Sequence, residues 1–337
     1  MQPDQGNSMG GRPRVSVALC TYNGSRFIEE QIRSICTQTL PPHEIVLSDD
    51  ASSDNCVAVA RRVHEHLTAS GVETPRLRLL QNPVALGVTR NFEQAVKACE
   101  GDYIALCDQD DIWHPEKLAR LVGALQSDGG RSLAHADARL VDSQGQPLGT
   151  TLFEALGVSQ AEIDQVQRGQ AFDVLLRRNL VTGATAVFRR TLLERALPFP
   201  EGWLHDEWLG LIAAAQGGVD VVAWCCIDYR QHGANQVGAG KLGLVGRIRK
   251  AMQPRGDDAA RRGAKARLLI ERLEAMAVPD AMVEKARMRL LHQQRRAALP
   301  RFRPARVVPV VMEWASGRYA RYDYGLQGVI RDLMAAP

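Results

Sequence analysis

Residues 102–111 read Asp-Tyr-Ile-Ala-Leu-Cys-Asp-Gln-Asp-Asp, an apolar run that turns abruptly acidic. Positions 103–107 have the length and composition of a buried strand. Asp108, Asp110 and Asp111 at its end repel one another unless positive charge sits among them. A divalent cation bound to a phosphate meets that need, because hard oxygen donors suit Mg²⁺ or Mn²⁺. Ligands of open α/β sheets also gather at the carboxyl ends of strands. Asp108 and Asp110 are therefore the first candidates for chemistry. The competing reading is a surface turn capping the helix that starts near Pro115, and the rest of the chain decides between the two.

Upstream, residues 15–20, 44–48 and 77–80 are short β-rich runs, and helical patterns cover about 25–37, 52–67 and 89–99. Strands alternating with helices of this length indicate βαβ units and a mostly parallel sheet. Downstream, 132–141 reads as a strand, 142–145 as a turn, 150–180 as helical and 185–188 as strand-like. A helix is expected over 205–216 and a strand over 219–229. The five glycines of 231–246 mark a loop or linker. Helical stretches follow near 258–276 and 280–297, and prolines break 301–309.

The chain has 337 residues, 45% hydrophobic and 24% charged, which fits one large domain plus an appendage. No segment reaches the roughly 18 uncharged apolar residues of a membrane-spanning helix, and the first dozen residues lack the apolar core of a signal peptide. Seven scattered cysteines, none in a CxxC pair, read as reduced core thiols of a cytoplasmic protein. Cys225 and Cys226 lie inside an apolar run and belong to a core strand rather than a metal site. Charge is unevenly spread. Residues 1–240 carry 21 Lys and Arg against 29 Asp and Glu, net −8, whereas 241–337 carry 21 against 9, net +12. A basic part of that size faces something anionic, and an acidic membrane surface fits better than nucleic acid, for which no aromatic-interleaved binding motif is present. A solvated helical surface and oligomerisation remain alternatives.

Four motifs follow the four strands in order: Cys20-Thr-Tyr-Asn-Gly24, Asp49-Asp-Ala-Ser-Ser-Asp54, Asn82-Pro-Val-Ala-Leu-Gly87 with Arg90 and Asn91 beyond it, and Asp108-Gln-Asp-Asp-Ile-Trp113. All lie at strand carboxyl ends, on one edge of the sheet. Over residues 14–235 this set resembles the family 2 inverting glycosyltransferases of GT-A fold, and the Asp-Gln-Asp-Asp-Ile-Trp form is similar to the rhamnosyltransferase-like branch that builds bacterial surface polysaccharides. The resemblance implies a mostly parallel central sheet with flanking helices. It also implies a flexible N-terminus (1–13), a catalytic domain (14–236, with nucleotide-binding half 14–113 and acceptor half 130–236) and a basic helical segment with its linker (237–337).

Residue by residue, the resemblance implies a donor site of Thr21, Tyr22, Asn23, Asp50, Arg90, Asp108 and Gln109. Tyr22 would offer a π face to the base, and Asp50 would accept the imide N–H of uracil or thymine with Asp49 in support. Helix N-capping is the competing role of that Asp pair. Arg90 would reach the diphosphate or ribose, unless it is only a solvated helix residue. Asp108 would hydrogen-bond the ribose, and Asp110 would hold a Mg²⁺ or Mn²⁺ ion that neutralises the leaving diphosphate. Asp111 would support or cap. His232, in the loop that ends the domain, would join the metal or diphosphate, a surface histidine being the alternative. Inverting transfer needs a general base, and the matching position in Trp203-Leu-His-Asp-Glu-Trp-Leu209 is Asp206. Glu207 is its rival, since both acids suit the first turn of a helix. Thr182 and Gly183 of the 179–184 loop, with Trp203 and Glu207, would shape the acceptor site.

The implied donor is a UDP- or dTDP-sugar carrying rhamnose, a hexose or an N-acetylhexosamine. The implied acceptor is a growing surface polysaccharide or a lipid-linked saccharide, and the implied location is cytoplasmic, peripheral on the inner face of the plasma membrane. Two departures stand out. Ala51 occupies a turn position where the family often has Gly, so the turn avoids positive φ or carries strain. The Gln-x-x-Arg-Trp motif of processive members is missing, which points to single addition. A nucleotidyltransferase is the alternative enzyme, but the Gly-rich phosphate loop it needs after the first strand is not there. A catalytically silent nucleotide-sugar-binding module is the alternative outside enzymes.

Overall fold

The computed structural model describes residues 12–127, 130–232 and 258–336. The expected flexible N-terminus up to residue 11 and the Gly-rich stretch from 233 lie outside the described residues. The chain begins with β1 (Val15–Thr21), α1 (Ile28–Cys36), β2 (Glu44–Asp49), α2 (Cys56–Ala69), β3 (Arg76–Gln81), α3 (Val88–Ala98) and β4 (Tyr103–Cys107). All seven residues of β1 and all five of β4 are buried, as a parallel strand covered by helices on both faces must be. Their side chains alternate between two cores. Ala18 and Cys20 join one with Phe92 of α3, while Val15, Val17 and Leu19 join the other with Ile28 and Ile32 of α1 and Ala60 and Val63 of α2.

β5 (Ile112–Trp113), α4 (Lys117–Ser127), β6 (Leu133–Val141), β7 (Pro147–Thr151), α5 (Leu152–Leu156), α6 (Gln160–Gln165) and α7 (Ala171–Arg177) follow, then β8 (Ala186–Arg189), α8 (Leu193–Ala196), α9 (His205–Gln216) and β9 (Val219–Arg230). The sheet order is β3-β2-β1-β4-β8-β6-β9-β5, with β7 paired to β6. The β3-β2-β1-β4 half is parallel, and β8 turns antiparallel against both β4 and β6. Register aligns the strand ends: Thr21 pairs with Asp49, Asp49 with Gln81, and Leu19 with Cys107. The four motif loops therefore leave the sheet side by side.

The sequence reading needs correction in the acceptor half. The span 150–180 is not one helical stretch: Pro147–Thr151 is a strand, and capping boxes at Thr151 and Ser159 start two separate short helices. The two-residue β5 and its antiparallel pairing with β9 also escaped the pattern, being too short to show periodicity.

Beyond the described gap, α10 (Asp258–Ala275) and α11 (Asp280–Ala297) pack together, and α12 (Val307–Ala315), α13 (Arg318–Tyr322) and α14 (Leu326–Met334) follow. Pro309 does not break α12, because it falls in the first turn where its missing N–H is harmless. Leu269 and Leu273 of α10 and Val283 and Ala286 of α11 enter the same core as Phe92 and Trp208, so these helices lie against the α3–α9 face of the sheet. All seven cysteines are free thiols, and Cys226 is buried in β9 as a core residue.

Candidate active site

The four loops are stitched to one another through side chains. Thr21 Oγ1 donates to Asp49 Oδ1 at 2.8 Å, and Asp49 also receives the backbone N–H of Ser52 at 3.0 Å, closing the turn over Asp50 and Ala51. Ala51 takes φ +61°, so the turn does adopt the left-handed conformation at the cost that a non-glycine residue carries there. Asn23, also at positive φ, donates its N–H to Ser52 Oγ and accepts the Ser53 N–H on Oδ1. Gln109 makes a two-point bridge to Tyr22: its Oε1 accepts the Tyr22 N–H at 2.8 Å and its Nε2 donates to the Tyr22 carbonyl at 3.0 Å. A Cβ at Gly24 would stand 2.1 Å from Gln109 Oε1, so a larger residue there would displace the Gln109 side chain from its bridge. The bridge leaves the Tyr22 ring 54% exposed above the strand ends.

Asp50 is buried and does not cap α2. Its Oδ1 accepts the Leu86 N–H at 2.6 Å and Asn82 Nδ2 at 3.1 Å, and its Oδ2 accepts the Gly87 N–H at 2.9 Å. One lone pair on Oδ2 remains for a further donor. Arg90 bonds Glu93 at 2.7 Å, and Glu93 in turn accepts the Phe199 N–H. The Arg90 side chain is half exposed, and one of its nitrogens makes this local ion pair.

The acidic loop contains its own cation. Lys117, fully buried in the first turn of α4, reaches across to donate to the Ala184 carbonyl at 2.6 Å and lies 3.3 Å from the centre of the Trp113 ring. It ties the acidic loop to the acceptor loop and counters part of the charge on Asp108 and Asp111. The compensation is incomplete. Burial, then the neighbouring charges of Asp110 and Asp206, push the Asp108 carboxyl up to about 7. Burial and then Asp110 also raise Asp111 well above the ordinary carboxylate range, and among the described residues its Oδ2 is buried without a partner. Its Oδ1 accepts the Arg230 N–H, while the Arg230 guanidinium bonds the Asp110 carbonyl and Glu30. His232 Nε2 lies 2.7 Å from Asp110 Oδ2, with its ring stacked on Phe27. Among the described residues no group of three or more His, Cys, Asp or Glu closes into a metal cage. A surplus of buried carboxylate beside one Asp–His pair nonetheless suits a cation that takes most of its oxygens from a bound diphosphate.

Asp206 lies in the first turn of α9. Its Oδ2 accepts the Gly183 N–H at 3.0 Å and its Oδ1 the Glu207 N–H at 2.6 Å. Burial raises its pKa against the pull of those bonds and of Lys265. Gly183 starts a one-turn 3₁₀ helix, closed by Thr185 donating to the Thr182 carbonyl. A Cβ there would come within 2.9 Å of His205 Nε2. His205 is stacked 3.8 Å from Phe92 and held neutral by burial, down to about 3. Glu207 is occupied: Lys265 of α10 donates to it at 2.6 Å while resting on the Trp203 ring. Trp203 is buried against Trp208, and its carbonyl accepts Thr89 Oγ1. Sequence reasoning missed Lys117, Arg230 and Lys265. Lys117 follows the acidic motif and Arg230 lies two residues before His232 in the loop that ends the domain, whereas nothing in spacing links Lys265 to the site.

The sequence model of Glycosyl transferase family 2 matches residues 16–194, just over half of the chain. The chain belongs to glycosyl transferase family 2. Among relatives, EpsE of Bacillus subtilis is 30% identical over 155 residues, 46% of this chain and 49% of that protein. The dTDP-rhamnosyl transferase RfbG of Shigella flexneri is 28% identical over 253 residues, 67% of this chain and 78% of that one. The chain spans about half to two thirds of the length of the first curated relatives it matches. Two solved structures share its fold. S. aureus TarS 1–349 with UDP-GlcNAc has a TM-score of 0.57 at 15% identity, covering 95% of this chain and 89% of that one. The mannosyltransferase PcManGT of Pyrobaculum calidifontis with GDP-Man and Mn²⁺ has a TM-score of 0.54 at 20% identity, covering 96% and 86%. The GT-A fold expected from the motifs is therefore the fold observed.

Proposed function

We propose that this family 2 enzyme is a metal-dependent inverting glycosyltransferase that moves one sugar, rhamnose, a hexose or an N-acetylhexosamine, from a UDP- or dTDP-sugar to a surface polysaccharide or lipid-linked saccharide. The observation that carries the reading is the placement of Asp206. Two backbone N–H groups hold its carboxylate at the N-terminus of α9, and its charge is felt at Asp108 across the site. In this reading the acceptor hydroxyl attacks the anomeric carbon as the bond to the diphosphate breaks, and its proton passes to Asp206.

Tyr22 supplies the exposed ring for the base, the free lone pair of Asp50 takes the pyrimidine imide N–H, and Asp108 takes the ribose. Thr21, Asn23 and Gln109 fix the loop that presents Tyr22. Asp110 and His232 would hold Mg²⁺ or Mn²⁺, which supplies positive charge to the departing diphosphate. Thr182 and Gly183 line the acceptor side, with Trp203 and Glu207 acting through packing and the Lys265 pair. Domain limits of 14–236 for the catalytic part and 237–337 for the basic part belong to the same proposal. The naming of RfbG as a dTDP-rhamnosyl transferase supports the donor class, and the Mn²⁺ complex of PcManGT supports the metal. A screen of nucleotide sugars with Mg²⁺ or Mn²⁺, read as free nucleoside diphosphate, tests it. Release from a UDP- or dTDP-sugar that EDTA abolishes is expected, and metal-independent release would sink the metal role.

A further inference from the structure

Two of the C-terminal helices are built inside out. A helix on a protein surface normally turns its apolar stripe inward and its charges to water. In α12 the buried positions are Val310 and Glu313, whereas Val307, Val308, Val311, Met312 and Trp314 are 49–67% exposed. Glu313 points into a buried polar cluster, bonding Arg318 at 2.5 and 2.7 Å and His292 at 2.8 Å. In α14 the buried positions are Gly328 and Asp332. Asp332 takes bonds from Arg296 at 2.6 Å and the Tyr319 hydroxyl at 2.7 Å. Leu326, Ile330 and Met334, spaced four apart along one stripe, are exposed. α12 and α14 pack on each other and on the turn of Arg303–Arg306, which is preceded by Phe302 at 71% exposure.

Charge is sorted in the same way. Between residues 294 and 336 the acids are Glu313, Asp323 and Asp332, and all three are buried. The exposed charges of that stretch are arginines: Arg295, Arg301, Arg303 and Arg321. The outer face is therefore apolar side chains edged by cations. A second copy of the chain is a poor occupant, because an isologous contact would set these arginines against themselves. A layer of anionic headgroups over hydrocarbon matches both parts, with Trp314 and Tyr324 suited to the boundary. No described helix is long and apolar enough to cross a membrane, so any attachment by these helices lies along the surface.

We propose that α12, α14 and Phe302 dock the protein on an anionic bilayer surface, their apolar side chains entering the headgroup boundary while Arg301 and Arg303 pair with lipid phosphates. The inference deepens the reading of a lipid-linked acceptor. Lys265 of the neighbouring α10 bonds Glu207 beside Asp206, which packs the docking helices and the acceptor side into one body.

The test is flotation of the full chain with vesicles of phosphatidylcholine alone or mixed with phosphatidylglycerol, without donor or acceptor. The chain should float with the anionic vesicles, release at high salt, and lose about tenfold or more of its partitioning in Met312→Glu/Trp314→Glu and in Arg301→Glu/Arg303→Glu. Both variants should keep the wild-type melting temperature and rate of nucleotide-sugar turnover. Failure to float, or flotation that the Glu substitutions leave unchanged, overturns the proposal. So does a dimer in sedimentation that Trp314→Glu dissociates, because a second copy would then cover the face. Loss of docking leaves sugar transfer standing, and loss of turnover leaves docking standing.

Discussion

Asp206 Oδ2 accepts the backbone N–H of Gly183 at 3.0 Å, joining the first turn of α9 to the loop before β8. With the Glu207 N–H on Oδ1, the carboxylate is fixed in rotation, and each oxygen keeps a lone pair. A base held by backbone groups depends on where the backbone runs. That makes the glycine as informative as the acid.

Gly183→Ala should lower kcat by about 100-fold, the scale of a small misplacement of a catalytic group. The new Cβ would press on His205 Nε2, which cannot retreat because its ring is stacked on Phe92. Donor binding uses other loops, so nucleotide affinity measured by calorimetry should stay near wild type. A parallel loss of nucleotide affinity would show that the substitution disturbs the whole site.

Lys265→Met removes the ammonium from over the Trp203 ring and leaves the partly buried Glu207 without it. Lys265 also holds the Asp206 pKa down. The acid limb of kcat/KM should therefore move to higher pH, with kcat reduced several-fold. An unchanged limb with reduced thermal stability would make Lys265 a packing residue only.

The wild-type pH profile follows from the same shift. A general base works only when ionised, and burial raises the Asp206 pKa despite its two backbone bonds. Activity should be complete at alkaline pH and fall as pH drops through a value above the ordinary carboxylate range. A limb at or below the ordinary value, measured at saturating metal, would contradict the environment described for Asp206.

The nucleotide half was legible in the sequence because β1, β2 and β4, buried on both faces, appear as short apolar runs, the edge strand β3 keeps a shorter one, and each motif follows one directly. The helix at 205–216 was legible for a similar reason, an apolar run ended by Gly217 and Gly218. The acceptor half was harder to read. Its helices at 152–156 and 160–165 are shorter than the window that shows a 3.6-residue period, and β7 is mostly exposed. Long-range ties were invisible: Lys265 meets Glu207 across 58 residues, and Arg230 meets Glu30 across 200. The contact of Arg90 with Glu93, which also sits under the Phe199 N–H, was likewise not readable from spacing alone.

Stability at low pH should depend on Glu162. Burial would raise its pKa, but Arg178 and Ser159 together lower it to about 2 from 4.5. The depressed pKa means that the stabilisation is present above pH about 4.5 and is lost as pH falls toward about 2, on the order of 3 kcal/mol in full. Glu162→Gln should lower the neutral-pH melting temperature and flatten this acid dependence. A variant that melts like the wild type at pH 7 would show that the cluster contributes little.

The central claim is that Asp206 removes the acceptor proton while the Asp108–Asp111 loop holds the leaving nucleotide. Turnover by Asp206→Asn, with nucleotide affinity measured on the same preparation, tests it most directly. The rate should fall by about 1,000-fold, with affinity for the nucleoside diphosphate and metal close to wild type. Turnover near the wild-type rate in that variant would contradict it.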